Sequence, residues 1–296
     1  MPPTRLSPTQ TPTGILFALA AILLWSSLAA LGVSLRHVPP FLLTGIGLLV
    51  GSLVAVPLSR GQWSHWKVPP GTLVIGVLGL FGYHTMLFAA FHYAPPLQAN
   101  LINYLWPLGM VVLAPLYLRG LHWRWQHIVA ALVGFAGAVL ALLDGGQSAA
   151  SDDAFPQRWI GYGLALAAAF TWSSYSLLCQ RVPPFRTAAI GSFCLGAGIL
   201  SLIMHVLFEP ATALDTQDWL LVAALGIGPA GGAFFVWDAA LKRTDARTVG
   251  LLAFLTPLLS TMLLLVTSGQ PFTINIGLAT LLIVGAAVVG MRSGSR

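Results

Sequence analysis

Two short runs hold most of the residues in this chain that could do chemistry. Tyr83 and His84 stand side by side in one apolar stretch, and Asn100, Asn103, Tyr104 and Trp106 follow in the next. Phe81, His84 and Phe88 recur at helical spacing, and Asn100, Asn103 and Pro107 share a face at i, i+3 and i+7. Amides and an imidazole amid apolar text need partners, so they belong in a protein interior. Phenol, indole and imidazole rings would stack on an aromatic or apolar moiety, and the amides would hydrogen-bond its polar end. Tyr83, His84, Asn103, Tyr104 and Trp106 are therefore the candidate substrate-binding residues. Each has a plainer alternative: an asparagine can simply tie two helices together, and His84 can be a satisfied packing histidine. Asp238 is the one acid well inside an apolar stretch, four residues before Lys242. It makes either an i,i+4 ion pair at the interface or a site for a proton or a substrate amine. His84 and Asp238 are the candidate proton relay.

The absences narrow the chemistry. There is no GxSxG elbow, no HExxH and no paired acids inside an apolar stretch, so no catalytic residue and no enzyme activity are expected. Cys179 and Cys194 lie in apolar text without CxxC spacing and read as small core residues; neither metal nor cofactor is expected. No Lys or Arg stands in the middle of an apolar stretch, which argues against a phosphorylated cargo. A neutral or zwitterionic cargo can instead be held by amides, carbonyls and helix-end dipoles.

The elements that position these residues must live in lipid. Hydrophobic residues make up 57% of the chain and charged ones only 7%, with mean hydropathy +0.83, against about 25% charged in soluble domains. The net charge of +6 sits in short loops without clusters, so nucleic acid is not an expected partner. A helix needs about 20 apolar residues to cross a bilayer. Apolar runs broken by polar or Pro/Gly text predict ten spans, near 14–36, 39–59, 69–93, 96–118, 125–144, 158–180, 186–208, 217–241, 247–268 and 272–291. The first run is too long for a signal-peptide core and reads as a retained helix. With ten spans, 12 of the 14 Lys and Arg fall on the side of both termini, and only Arg36 and Arg158 fall opposite. That bias predicts cytoplasmic termini for a multi-pass membrane protein. Trp63, Trp66, Trp123, Trp125, Trp159 and Trp219 stand at span ends, where indoles favour the headgroup layer.

The text also repeats. Gly14 to Ser27 resembles Gly161 to Ser174, each ending in Trp-Ser-Ser (Trp25 and Trp172), and each copy is followed by Val-Pro-Pro-Phe, at Val38 and Val182. Trp106-Pro107-Leu108 aligns later with Thr256-Pro257-Leu258. The expected organisation is a tail 1–13, a five-helix repeat 14–144, a periplasmic linker 145–157, a second five-helix repeat 158–291 and a tail 292–296. Five spans is an odd number, so the second copy inserts upside down relative to the first. The fold expected is all-α, ten transmembrane helices as two inverted five-helix repeats around a central cavity. Gly/Pro interruptions in corresponding spans point to the site. Gly79 and Gly82 pair with Gly226 and Pro229, and Pro107 with Pro257, giving six candidate hinge or cavity positions; ordinary bending or close packing is the alternative. Trp25 and Trp172, repeat mates, read as core in preference to symmetric gates.

The two repeats with their Trp-Ser-Ser motifs, Pro107 and Pro257 resemble the drug/metabolite transporter superfamily, EamA type. Tyr83-His84 and the run Asn103-Tyr104-Leu105-Trp106-Pro107 look like its YddG branch of aromatic amino-acid exporters. The resemblance implies a secondary transporter of the bacterial inner membrane that exports aromatic or other neutral amino acids and related metabolites from a central cavity, as a monomer. The runner-up is a broad-specificity drug or metabolite exporter. Thr256 stands where the second repeat would need Trp, so the implied site is not symmetric.

Overall fold

A computed structural model describes residues 12–117, 125–145, 155–179, 181–241, 243, 252–253, 255–269 and 271–293. These residues form helices: α1 (Pro12–Ser26), α2 (Leu28–Ser34), α3 (Pro40–Ser52), α4 (Ala55–Ser59), α5 (Pro70–Tyr93), α6 (Pro96–Asn103), α7 (Trp106–Tyr117), α8 (Trp125–Gly145), α9 (Phe155–Cys179), α10 (Ile190–Phe208), α11 (Thr216–Ile227), α12 (Gly232–Leu241), α13 (Leu255–Ser268) and α14 (Ile274–Ser293). Several begin where sequence chemistry says they should. Proline opens α3, α5 and α6 in the first turn, where its missing N–H costs no hydrogen bond. Asp215 caps α11 reciprocally with Asp218.

Five stretches are long and apolar enough to cross a bilayer: Pro12–Ser34, Pro40–Ser59, Pro70–Tyr93, Thr187–Phe208 and Thr216–Ala240. Shorter apolar helices run Leu255–Ser268 and Ile274–Ala286. The outward faces carry Leu23, Leu78, Phe135, Val206 and Val266, all more than half exposed. Such a surface is stable only in hydrocarbon, and the chain is a multi-pass membrane protein. The boundaries differ from expectation at the linker. Helix α8 runs on to Gly145 and α9 starts at Phe155, three residues before the expected 158, while 146–154 lie outside the described residues.

The packing links the two halves of the chain. Helix α5 packs on α9 and α1 on α12; α3 packs on α10 and α8 on α14; α11 packs on α3 and α10 on α5; α7 packs on α9 and α13 on α1. Exchanging each first-half helix for its sequence repeat mate returns this same set of pairs. Polar contacts mark the two ends of the bundle. At one end His37 Nε2 lies 2.9 Å from an Asp218 oxygen, Glu209 accepts from the Phe41 and Leu42 amides at 2.8 and 3.1 Å, and the His92 ring bonds the Arg36 carbonyl at 3.0 Å. At the opposite end the turn Trp63–Trp66 packs on the turn Thr187–Ala189, and the Thr187 hydroxyl donates to the Asp238 carboxylate.

Candidate functional site

Three interruptions of helix shape the centre of the molecule, each with a local cause. Ser27 separates α1 from α2: its amide and its hydroxyl both bond the Leu24 carbonyl, at 3.1 and 2.7 Å, in place of the regular ladder. Tyr104 and Leu105 separate α6 from α7, where Leu105 N–H reaches back only three residues, to Ile102. Pro107, lacking an N–H, leaves the Asn103 carbonyl without its helical donor. Residues 228–231 separate α11 from α12, and there the Ala230 and Ala233 amides reach back five residues, to Leu225 and Gly228. The close approach of α3 demands glycine at this break: a Cβ on Gly231 would stand 2.4 Å from the Gly51 Cα and 2.3 Å from the Gly226 oxygen.

These interruptions border one internal cavity of about 30 Å³. Trp25, Leu28 and Ala29 line it from α1 and α2, and Tyr83, His84 and Leu87 from α5. Asn100, Asn103, Tyr104 and Trp106 come from α6 and α7, Trp172 from α9, Pro229 and Phe234 from the 228–231 break and α12, and Thr256 from α13. All five residues proposed from sequence for substrate binding thus meet at one place. The aromatic rings form a continuous cluster. Trp25 and Trp172, the repeat mates, stand edge-on at 6.3 Å; Trp172 lies 4.9 Å from Tyr83 and 5.5 Å from Phe234; Trp25 lies 5.9 Å from Phe234 and 4.9 Å from Trp237. The polar side chains are tied in pairs: Asn100 Nδ2 donates to Ser260 Oγ at 3.1 Å, and Asn103 Nδ2 to the Tyr83 hydroxyl at 3.4 Å. His84 is fully buried, with Nδ1 2.9 Å from the Leu80 carbonyl oxygen. Ser173, of the second Trp-Ser-Ser, donates to the Trp106 carbonyl at 2.7 Å and so fixes α9 to the start of α7.

Neutral amides, hydroxyls and edge-on or tilted rings make a lining of the kind that suits an aromatic solute. Among the described residues no three His, Cys, Asp or Glu side chains gather as a metal site would require. Two stretches, 12–143 and 159–291, match the model of the EamA-like transporter family. The chain belongs to that family. It is 42% identical over 277 residues to the aromatic amino acid exporter YddG of Ancylobacter novellus, covering 93% of this chain and 95% of that one. It is 23% identical over 290 residues to the Escherichia coli K12 protein of the same name, covering 93% and 95%. It is 24% identical over 222 residues to an Escherichia coli biotin transporter, covering 73% and 71%. A solved crystal structure 39% identical in sequence superposes with a TM-score of 0.71, over 97% of this chain and 98% of the other.

Within this EamA-family chain the remaining sequence candidates separate. Pro229 lines the cavity, and Gly226 packs beside it against the Gly47 carbonyl, 2.5 Å from where a Cβ would lie. Pro257 is buried in the first turn of α13, next to Thr256. Pro107 is the second residue of α7. Gly79 and Gly82, by contrast, sit inside α5, which runs 24 residues without a break. They give room to side chains of α9: a Cβ on Gly79 would stand 2.4 Å from the Tyr175 ring, and one on Gly82 3.3 Å from Thr171. Asp238 does not line the cavity; it accepts from Thr187 near the end of the bundle, and Lys242 lies outside the described residues. Sequence reasoning left out Phe234, Trp25, Trp172 and Thr256 as site residues. For the last three the signal was present, because each had been recognised as a repeat mate.

Proposed function

We propose that this protein is a secondary carrier that exports aromatic and other neutral amino acids, with related metabolites, across the bacterial inner membrane by alternating access. The carrying observation is the aromatic cavity itself, lined by Tyr83, His84, Asn103, Tyr104, Trp106, Trp25 and Trp172, in a chain 42% identical to a protein named as an aromatic amino acid exporter. Two five-helix units, 14–144 and 158–291, in opposite senses and with both termini cytoplasmic, supply the mechanism. Support for that reading comes from the helix pairs that map onto themselves when the halves are exchanged. The two loop clusters support it too, since each gathers at one end the segments that ten alternating spans would bring there. No cofactor is required, and one chain suffices.

At about 30 Å³ the cavity holds one or two waters, not an amino acid. The lining helices must part for cargo to enter. Stacking on Trp106, Tyr104 and Tyr83 and hydrogen bonds to His84 and Asn103 would then replace the contacts these residues now make with one another. The test is uptake of labelled L-phenylalanine into proteoliposomes. Trp106→Ala and His84→Ala should each lower it at least about tenfold, a loss of about 1.4 kcal/mol in binding, while both proteins stay monodisperse. Full transport by both variants would remove these side chains from the cargo path. Displacement of phenylalanine by unrelated apolar drugs but not by other neutral amino acids would favour the broad-specificity exporter.

A further inference from the structure

Three buried polar atoms on cavity-lining residues have no hydrogen-bond partner: His84 Nε2, Asn103 Oδ1 and Thr256 Oγ1. Their chemistry is lopsided. In the neutral His84 ring, Nδ1 at 2.9 Å from the Leu80 carbonyl carries the proton, and Nε2 then presents a lone pair. Asn103 gives one amide N–H to the Tyr83 hydroxyl, and its carbonyl oxygen has no partner. Thr256 offers a hydroxyl, which donates or accepts. Among the described residues no Lys, Arg, Asp or Glu lines the cavity. Resting on the reading of this cavity as the cargo site, we propose that it recognises the protonated amine of an aromatic solute and not the carboxylate. Among the three unpartnered atoms a carboxylate finds one hydroxyl donor and two opposing lone pairs, and no cation to neutralise it. An ammonium finds three acceptors and the ring faces of Trp25, Trp172 and Phe234, which attract a cation through their quadrupoles. An unpaired buried polar atom is costly, and a donor from the cargo would relieve that cost. Aromatic monoamines are therefore cargo, and aromatic monocarboxylates are not.

The experiment is competition against labelled L-phenylalanine on the purified full-length protein. The competitors are phenethylamine, L-phenylalanine methyl ester and 3-phenylpropionate. The two amines should displace the label within about tenfold of unlabelled phenylalanine, and the carboxylate at least about a hundredfold more weakly. Asn103→Asp, nearly isosteric, should shift preference further toward phenethylamine over phenylalanine, because a second carboxylate repels that of the zwitterion. Equal displacement by 3-phenylpropionate and phenethylamine, or an Asn103→Asp protein that binds and keeps the wild-type ratio, overturns the amine-selective site and leaves the carrier intact. Absence of any displaceable phenylalanine binding overturns the carrier reading itself.

Discussion

Two helix pairs flank the cavity, and they are built differently. Helices α5 and α9 are unbroken over 24 and 25 residues and pack along each other. Across the cavity their repeat mates pack as a pair too, but α1 is cut from α2 at Ser27 and α11 from α12 at residues 228–231. Related sequence thus adopts two shapes in one molecule. The difference traces to where the small residues were spent. Glycines of α5 admit the rings of Tyr175 and Phe193, so the helix stays straight and packs tightly. Glycines of the second copy bring backbone against backbone, at Gly231 and Gly51 and at Gly226 and Gly47, so that helix yields. Alternating access between inverted units needs such an inequality, because opening the other face is the same bundle with the two shapes exchanged.

The sharpest way to break this comparison is to fill a glycine on each side. At Gly231 a methyl group meets backbone atoms at 2.3 and 2.4 Å, which cannot rotate away. At Gly79 it meets the Tyr175 ring at 2.4 Å, which can partly turn. Gly231→Ala should therefore cost the upper end of the overpacking range, about 3 kcal/mol or more, and Gly79→Ala about 1–2 kcal/mol. Thermal melts in one detergent check the order. A Gly79→Ala protein melting below Gly231→Ala would mean that the straight pair, not the broken one, is the rigidly keyed element.

Much of this architecture was legible in the sequence, for reasons that vary by residue. Helix bounds at Pro40, Pro70 and Pro96 follow from proline chemistry, which is local. His84 and Asn103 announced the cavity because polar groups in apolar text need an interior. Phe234 carried no such mark: a phenylalanine in an apolar helix reads the same whether it faces lipid, core or cargo, and only the 228–231 break turns it inward. The pairing of Gly79 and Gly82 with Gly226 and Pro229 left hinge and close packing open for a related reason. Glycine text does not say whether a helix bends or a neighbour comes close, and α5 and the α11–α12 break show the two outcomes from matching positions.

A gentler probe acts on the cause of the α1 interruption. Ser27→Ala removes the 2.7 Å side-chain bond to the Leu24 carbonyl and adds a better helix former. The straighter helix should be more stable by about 0.5 kcal/mol, with turnover of labelled phenylalanine falling severalfold and half-saturation little changed. Ser174→Ala, at the matching position in unbroken α9, should leave both quantities as they are. Equal behaviour of the two variants would show that the Ser27 interruption has no part in the cycle.

The smallest effect concerns how the broken pair is held at one end. His37, just past α2, reaches Asp218 of α11 at 2.9 Å, with the imidazole 57% exposed and the carboxylate 9%. A contact so open to solvent contributes about 0–1 kcal/mol, and whatever charge attraction it carries is screened by salt. His37→Ala should thus lower the melting midpoint by a degree or two at low ionic strength and by nothing measurable in 0.5 M salt, an illustrative concentration on the order of the screening range. Asp218 does more, because its other oxygen accepts from the Asp215 amide at 3.2 Å while its own amide donates to Asp215 at 2.8 Å. Asp218→Ala dismantles that capping box and should cost about 1 kcal/mol in either salt. The gap between the two variants at high salt isolates the cap. If it vanishes, the capping box adds nothing to the start of α11, and packing together with the other contacts at this end, such as that of Glu209 with the Phe41 and Leu42 amides, holds it.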